Sequence, residues 1–153
     1  MKKLSYVFFV LISLCVISCS SDDNSSNGDD LFIKFTANGT EYNFEPATLT
    51  SLSRLIMGDR EINDVYTRIS LWMPVTPVLG SHDITNDSPS DSNIDTLYNA
   101  NFWLGDDTYE ATSGTFTLTQ VSSEYLSGTF SFTATNDEGT TIEITNGSFR
   151  AFR

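Results

Sequence analysis

Gly128-Thr129-Phe130-Ser131-Phe132-Thr133-Ala134-Thr135, then Asn136-Asp137-Glu138-Gly139, then Thr141-Ile142-Glu143-Ile144-Thr145, decides the fold class. Apolar or small residues hold the even positions of the first run and hydroxylated residues the odd ones. A period of two suits an extended strand with one buried face, whereas on a helix the same apolar residues would scatter around the axis. The four residues between the runs are turn formers, so the chain reverses and returns as a second strand. Thr is β-branched and polar, which fits it to outward strand positions.

The same period recurs outward from there. Leu31, Ile33, Phe35 and Ala37 alternate with Phe32, Lys34 and Thr36. Asn38-Gly39 follows, a hairpin signal in which both turn residues take positive φ. Tyr42 and Phe44 return on one face, and Pro46 stops the strand. Val65, Thr67, Ile69, Leu71 and Met73 oppose Tyr66, Arg68, Ser70 and Trp72, with Pro74 as the stop. Phe116 and Leu118 alternate with Thr115, Thr117 and Thr119. A strand is expected near Arg54 to Met57, with a helical turn before it as an open alternative. Phe149 falls on the opposite parity from Ile142 and Ile144, so either a bulge at Asn146-Gly147 or a second tight turn lies there. The expectation is an all-β, antiparallel meander of about eight or nine strands. It closes into a sandwich or a partly open, lipocalin-like barrel, since such a meander must bury one face. No long amphipathic pattern supports parallel βαβ units.

The start of the chain reads as an address. Met1-Lys2-Lys3 is basic, and Leu4 to Ile17 is apolar apart from Ser5 and Ser13. That is the pattern of a secretory signal, too short for a permanent span of about 20 residues. Val16-Ile17-Ser18-Cys19 follows as a lipobox, with a small residue before the cysteine whose thiol takes the lipid. The expected organisation is a signal peptide over 1–18, a lipidated cysteine and acidic tether over 19–30, and a single all-β domain over 31–153. Removal of the leader takes Cys15, Lys2 and Lys3, leaving no free thiol and a net charge of −14 from the formal −12. Anionic headgroups repel such a body, so the acyl chains supply the anchorage, two or three together being stable where one is not. Ser20 to Asp30 has no apolar residue and reaches at most about 36–40 Å when extended. Its Asp22 and Asp23, close behind Cys19, resemble the surface-export signal of Bacteroidetes-type lipoproteins.

With 8 basic against 20 acidic residues, nucleic acid is excluded as a partner, because phosphates demand clustered Lys and Arg. The expected partners are the membrane, through the N-terminal lipid, and a glycan or protein ligand. The strand Ser127 to Ala134, Gly139, the Ile144-Thr145-Asn146-Gly147-Ser148-Phe149 run, the Phe35 to Thr40 hairpin and Leu79-Gly80-Ser81-His82-Asp83-Ile84 resemble one family. It is a family of small Bacteroidetes-type surface lipoproteins with an all-β body and no assigned activity. The resemblance covers most of 31–153 and is weakest over 85–96. It implies a glycine-led strand near Gly80 and carries over no catalytic residue.

The chemistry-bearing residues are few. His82 is the single histidine, no Gly-x-Ser-x-Gly elbow exists, and no phosphate loop is present. A lone His beside a glycine turn reads as a surface residue. One His and no free Cys disfavour zinc. Asp91-Ser92-Asn93-Ile94-Asp95 starts like a calcium loop, but Thr96 and Phe102 hold positions that need Gly and Glu. A solvated loop is the main reading there and an irregular calcium site the lesser one. No catalytic residue, metal ligand or cofactor is expected. Asp95-Thr96-Leu97 matches a short O-glycosylation site, with Thr96 as acceptor. Tyr66, Arg68 and Trp72 share one strand face and are the candidate ligand-facing residues. These features point to an outer-membrane, surface-exposed, lipid-anchored binding or interaction module without catalysis. The alternative is a carboxylate-based hydrolase acting on glycans, which needs two close acids, one of them desolvated.

Overall fold

The computed structural model describes residues 30–47 and 54–153, and Cys19, Asp22 and Asp23 lie outside them, as does any helical turn over 48–53. The described residues form nine strands and no helix. They are β1 (Phe32–Ala37), β2 (Thr40–Phe44), β3 (Leu55–Ile62), β4 (Val65–Trp72), β5 (Gly80–Ile84), β6 (Asn99–Leu104), β7 (Asp107–Val121), β8 (Tyr125–Thr135) and β9 (Thr141–Phe152). All pair antiparallel in one sheet, ordered β2-β1-β9-β8-β7-β6-β4-β3, with β5 also on β7.

β5 and β6 share one edge of β7. β5 pairs with Gly114 to Leu118 and β6 with Asp107 to Glu110. They are two pieces of one interrupted strand, and residues 85–97 form an excursion between them. The chain leaves and re-enters at one point, where Ile84 bridges Tyr98 and the Thr85 amide donates to the Tyr98 carbonyl at 3.2 Å. Nine strands therefore fill eight positions, and each position neighbours the next along the chain. β1 pairs with β9, which brings the start of the meander to its end. The remaining seam lies between β2 and β3. There the Ala47 amide donates to the Met57 carbonyl at 2.7 Å, and Phe44 packs on Gly58. A Cβ on Gly58 would lie 2.7 Å from that of Phe44, so the approach needs glycine. Between the two expected architectures the fold is the nearly closed barrel, with an up-and-down topology.

The pleat turns apolar residues inward and hydroxylated ones outward. Phe35 sits centrally, with ring centroids 5.0 Å from Tyr42, 5.7 Å from Phe44 and Phe102, and 6.2 Å from Phe130. Phe116, Phe149, Ile69 and Leu71 complete a filled core. A membrane-spanning barrel has the reverse pattern, apolar outward.

Three residues insert into the ladders and reset the period. On β9 the register slips against both neighbours at Asn146, which adopts φ 53°. That bulge returns Phe149 to the core, at 1 % exposure, and settles the parity change read from the sequence. On β7, Thr112 and Thr119 are extra residues opposite β8. Tyr109 and Ala111 before the first bulge and Phe116 and Leu118 after it therefore all point inward. β3 begins within the expected Arg54 to Met57 stretch and runs on to Ile62. β5 starts at the expected Gly80.

The barrel has two distinct ends. The tight turns 38–39, 63–64, 105–106 and 136–139 gather at one, with Asn38 at φ 46° and Gly39 at 81° as the hairpin signal requires. At the other end the chain enters at Leu31, the segment 73–79 crosses, β7 turns into β8 and Phe152 closes β9.

Candidate functional site

The outer wall carries a polar and aromatic patch where β3, β4, β6 and β7 run side by side. Trp72 pairs with Asn99. Ser70 pairs with Asn101, which pairs with Glu110. Arg68 pairs with Trp103. Alternation turns these side chains outward, because Ile69, Leu71, Ala100 and Phe102 between them fill the core. The rows place unlike groups in contact. The Trp72 Nε1 donates to Asn101 Oδ1 at 3.4 Å. The Arg68 guanidinium lies 4.7 Å from the Trp103 ring centre, and its Nε donates to Ser70 Oγ at 3.1 Å. Ser70 is fully buried by this cover.

The excursion 85–97 walls the patch on one side. Arg54, at the head of β3, pins it: Nε donates to the Met73 carbonyl at 3.1 Å and Nη2 to the Ile94 carbonyl at 2.7 Å. Asn99 Nδ2 donates to the Thr85 carbonyl at 2.9 Å. Asn93 braces the excursion internally, accepting from the Ser90 amide at 2.8 Å and donating to the Ser88 carbonyl at 3.0 Å. Leu97 turns inward to seal its base. Between wall and strands lies an open cleft of about 310 Å³, floored by Trp72, Asn99, Asn101 and Glu110 and walled by Asn86 to Pro89. Indole, amides, a carboxylate and a guanidinium thus meet on rigid strands, a mixture suited to a polar ligand with an apolar face.

The three residues singled out from the sequence share the outer face but not one pocket. Trp72 floors the cleft. Arg68 lies over Trp103 beside it. Tyr66 sits near the turn end, its hydroxyl 3.4 Å from Asp59 Oδ2. Asn99, Asn101 and Trp103 were not singled out, although Asn99-Ala100-Asn101-Phe102-Trp103 alternates as clearly as any strand here. Thr96 is exposed, with Oγ1 donating to the Asn93 carbonyl at 3.2 Å, whereas Leu97 of the same tripeptide is buried.

The rest of the polar inventory is structural or scattered. His82 lies at the surface but is packed: its ring stacks on Tyr98 at 4.1 Å, and Nε2 donates to the Val78 carbonyl at 2.8 Å. Burial raises the Tyr98 hydroxyl above the ordinary tyrosine range, partly offset by a hydrogen bond with the Val78 backbone. Every Asp and Glu among the described residues is exposed, and none of these residues form a group of three or more His, Cys, Asp or Glu able to hold a metal ion. No family model, no curated protein and no solved structure matches the chain.

Proposed function

We propose that this chain is a lipid-anchored binding module of the outer membrane, displayed at the cell surface, with its ligand in the Trp72 cleft. This reading keeps the resemblance to small Bacteroidetes-type surface lipoproteins. The observation that carries it is the cleft floor: one indole, two amides and a carboxylate on adjacent strands, beside the Arg68–Trp103 stack. A carbohydrate suits that set, since its C–H face stacks on the indole while its hydroxyls accept hydrogen bonds from the amide N–H groups and donate them to the carboxylate. The hydrolase alternative needs a desolvated acid, and the exposure of every described carboxylate supports binding over it.

Both tryptophans of the chain lie on this wall, so intrinsic fluorescence reports the site directly. Titration with a glycan panel is expected to shift emission, and Trp72→Ala to weaken binding at least about tenfold, a loss of about 1.4 kcal/mol. Unchanged glycan affinity in Trp72→Ala removes the cleft as the site. The anchor has a separate test. Cys19→Ser is expected to accumulate as an uncleaved precursor without fatty acid. Protease treatment of intact cells reads surface display, which Asp22→Ala with Asp23→Ala is expected to reduce.

A further inference from the structure

Among the described residues, the large apolar side chains with half or more of their surface exposed are Val75 (51 %), Val78 (63 %), Leu79 (58 %) and Phe152 (50 %). All four belong to the end of the barrel where the chain enters. The register shows how close entry and apolar segment stand along the sheet. Gly80 pairs with Leu118, Leu118 with Gly128, and Gly128 with Phe149. One residue beyond that row lie Leu79 and Arg150, and Arg150 pairs with Phe32 at the start of β1. In the Pro74-Val75-Thr76-Pro77-Val78-Leu79 segment the two prolines are buried and His82 of β5 donates to the Val78 carbonyl, while Val75, Val78 and Leu79 are exposed.

The basic residues divide the two ends. The four tight turns of the opposite end carry Asp64, Asp106, Asp137 and Glu138 and no basic residue. At the entry end Arg54, Arg150 and Arg153 stand among Asp30, Glu45 and Glu124, and the tether that arrives there adds Asp22, Asp23 and Asp29 to the sequence on that side.

We infer that the entry end is a lipid-facing surface, with Val75, Val78 and Leu79 resting in the interface of the bilayer that holds the acyl chains. This rests on the proposed lipidation of Cys19. The occupant follows from where the chain goes: the residues between Cys19 and the barrel span at most about 40 Å and arrive at this end. A weak contact then acts intramolecularly, at a high effective concentration set by the tether. The consequence is an orientation. The barrel stands with its turns outward, and the Trp72 cleft opens along its side.

The mature lipoprotein suits a direct test, because Cys15 leaves with the leader and the Cys19 thiol is consumed by lipid. Val78→Cys, and Asp137→Cys at the turn end, are each labelled with an environment-sensitive dye. The proteins are placed in phosphatidylcholine vesicles containing a headgroup-proximal spin-labelled lipid. Quenching at Val78→Cys is expected to exceed that at Asp137→Cys at least about twofold, as partial insertion requires. Leu79→Asp in the first variant is expected to remove the excess, with folding checked by circular dichroism. Equal quenching at both positions in protein that floats with the vesicles overturns the inference and leaves the anchor standing. Oxidative dimerisation through Val78→Cys without quenching means that a second copy covers the face, which also overturns it. Failure to float, with no acyl mass on Cys19, removes both the anchor and this surface.

Discussion

Phe130 and Ser131 are chain neighbours with opposite surroundings. The first is buried at 3 % exposure beside Phe35, Phe132 and Phe149, and the second faces solvent. Phe130→Ala is expected to cost about 3–5 kcal/mol through lost burial and a residual cavity. Ser131→Ala is expected to stay within about 0.5 kcal/mol. Urea unfolding of the two variants checks this, and equal losses would contradict the alternation. Asn146 poses a different residue-scale problem, because its left-handed backbone costs a branched side chain more than it costs asparagine. Asn146→Val is expected to lose about 1–2 kcal/mol in the same assay, while Asn146→Gly stays close to the parent. The next residue is constrained by space: a Cβ on Gly147 would collide with the Phe130 carbonyl and ring.

At the scale of the element, bulges decide which face each half of a long strand buries. β9 runs from Thr141 to Phe152 and carries Ile142 and Ile144 inward before Asn146, then Phe149 and Ala151 inward after it. A Ser inserted between Ser148 and Phe149 leaves the strand a choice. Either the bonds to β1 and β8 keep their register and Phe149 turns to water, or Phe149 stays inside and the ladder is lost. The insertion variant is expected to lose its cooperative unfolding transition, read by circular dichroism during thermal melting. A single inserted Ser in the 91–96 turn of the excursion is expected to leave that transition in place. No ladder runs through it, and most of its side chains are already exposed.

For the molecule as a whole, closure of the barrel enforces burial that titration can read. Burial raises the Tyr42, Tyr98 and Tyr109 hydroxyls above the ordinary range, and for Tyr109 the charges of Asp107 and Glu138 add to that. A tyrosine with a raised folded pKa keeps its proton in the fold where the unfolded chain has lost it. The folded state then holds more protons, so these groups lower stability as pH rises above about 10 and contribute no slope below it. Melting temperature is therefore expected to fall on the alkaline side of pH 10. Tyr109→Phe, with nothing there to ionise, is expected to flatten that fall. An unchanged alkaline slope in Tyr109→Phe would remove this residue from the account.

Local chemistry was enough to read β1, β2, β4, the second half of β7, β8 and β9, the Asn38-Gly39 hairpin, the 136–139 turn and the parity change at Phe149, whereas β6 and the first half of β7 went unread. Each depends only on residues adjacent in the chain and on the two-residue period of a pleat. The expected glycine-led strand at Gly80 also stands, on a resemblance carried by turn and strand residues. Three things needed the tertiary structure. Barrel or sandwich was one, because the same inward pattern fills either. The seam chose the barrel, through Phe44 lying on Gly58 and Ala47 bonding to Met57, contacts that no local period encodes. The identity of the cleft was another. Trp72 meets Asn99, Asn101 and Glu110 only through pairing across three strands, and Arg54 reaches Ile94 across 40 residues of chain. The third was the β5–β6 interruption, where β7 binds both pieces along one edge and expels 85–97 to form the wall of that cleft. A period in sequence states which face is buried; what lies against that face, and what gathers on the other, is a property of long-range pairing.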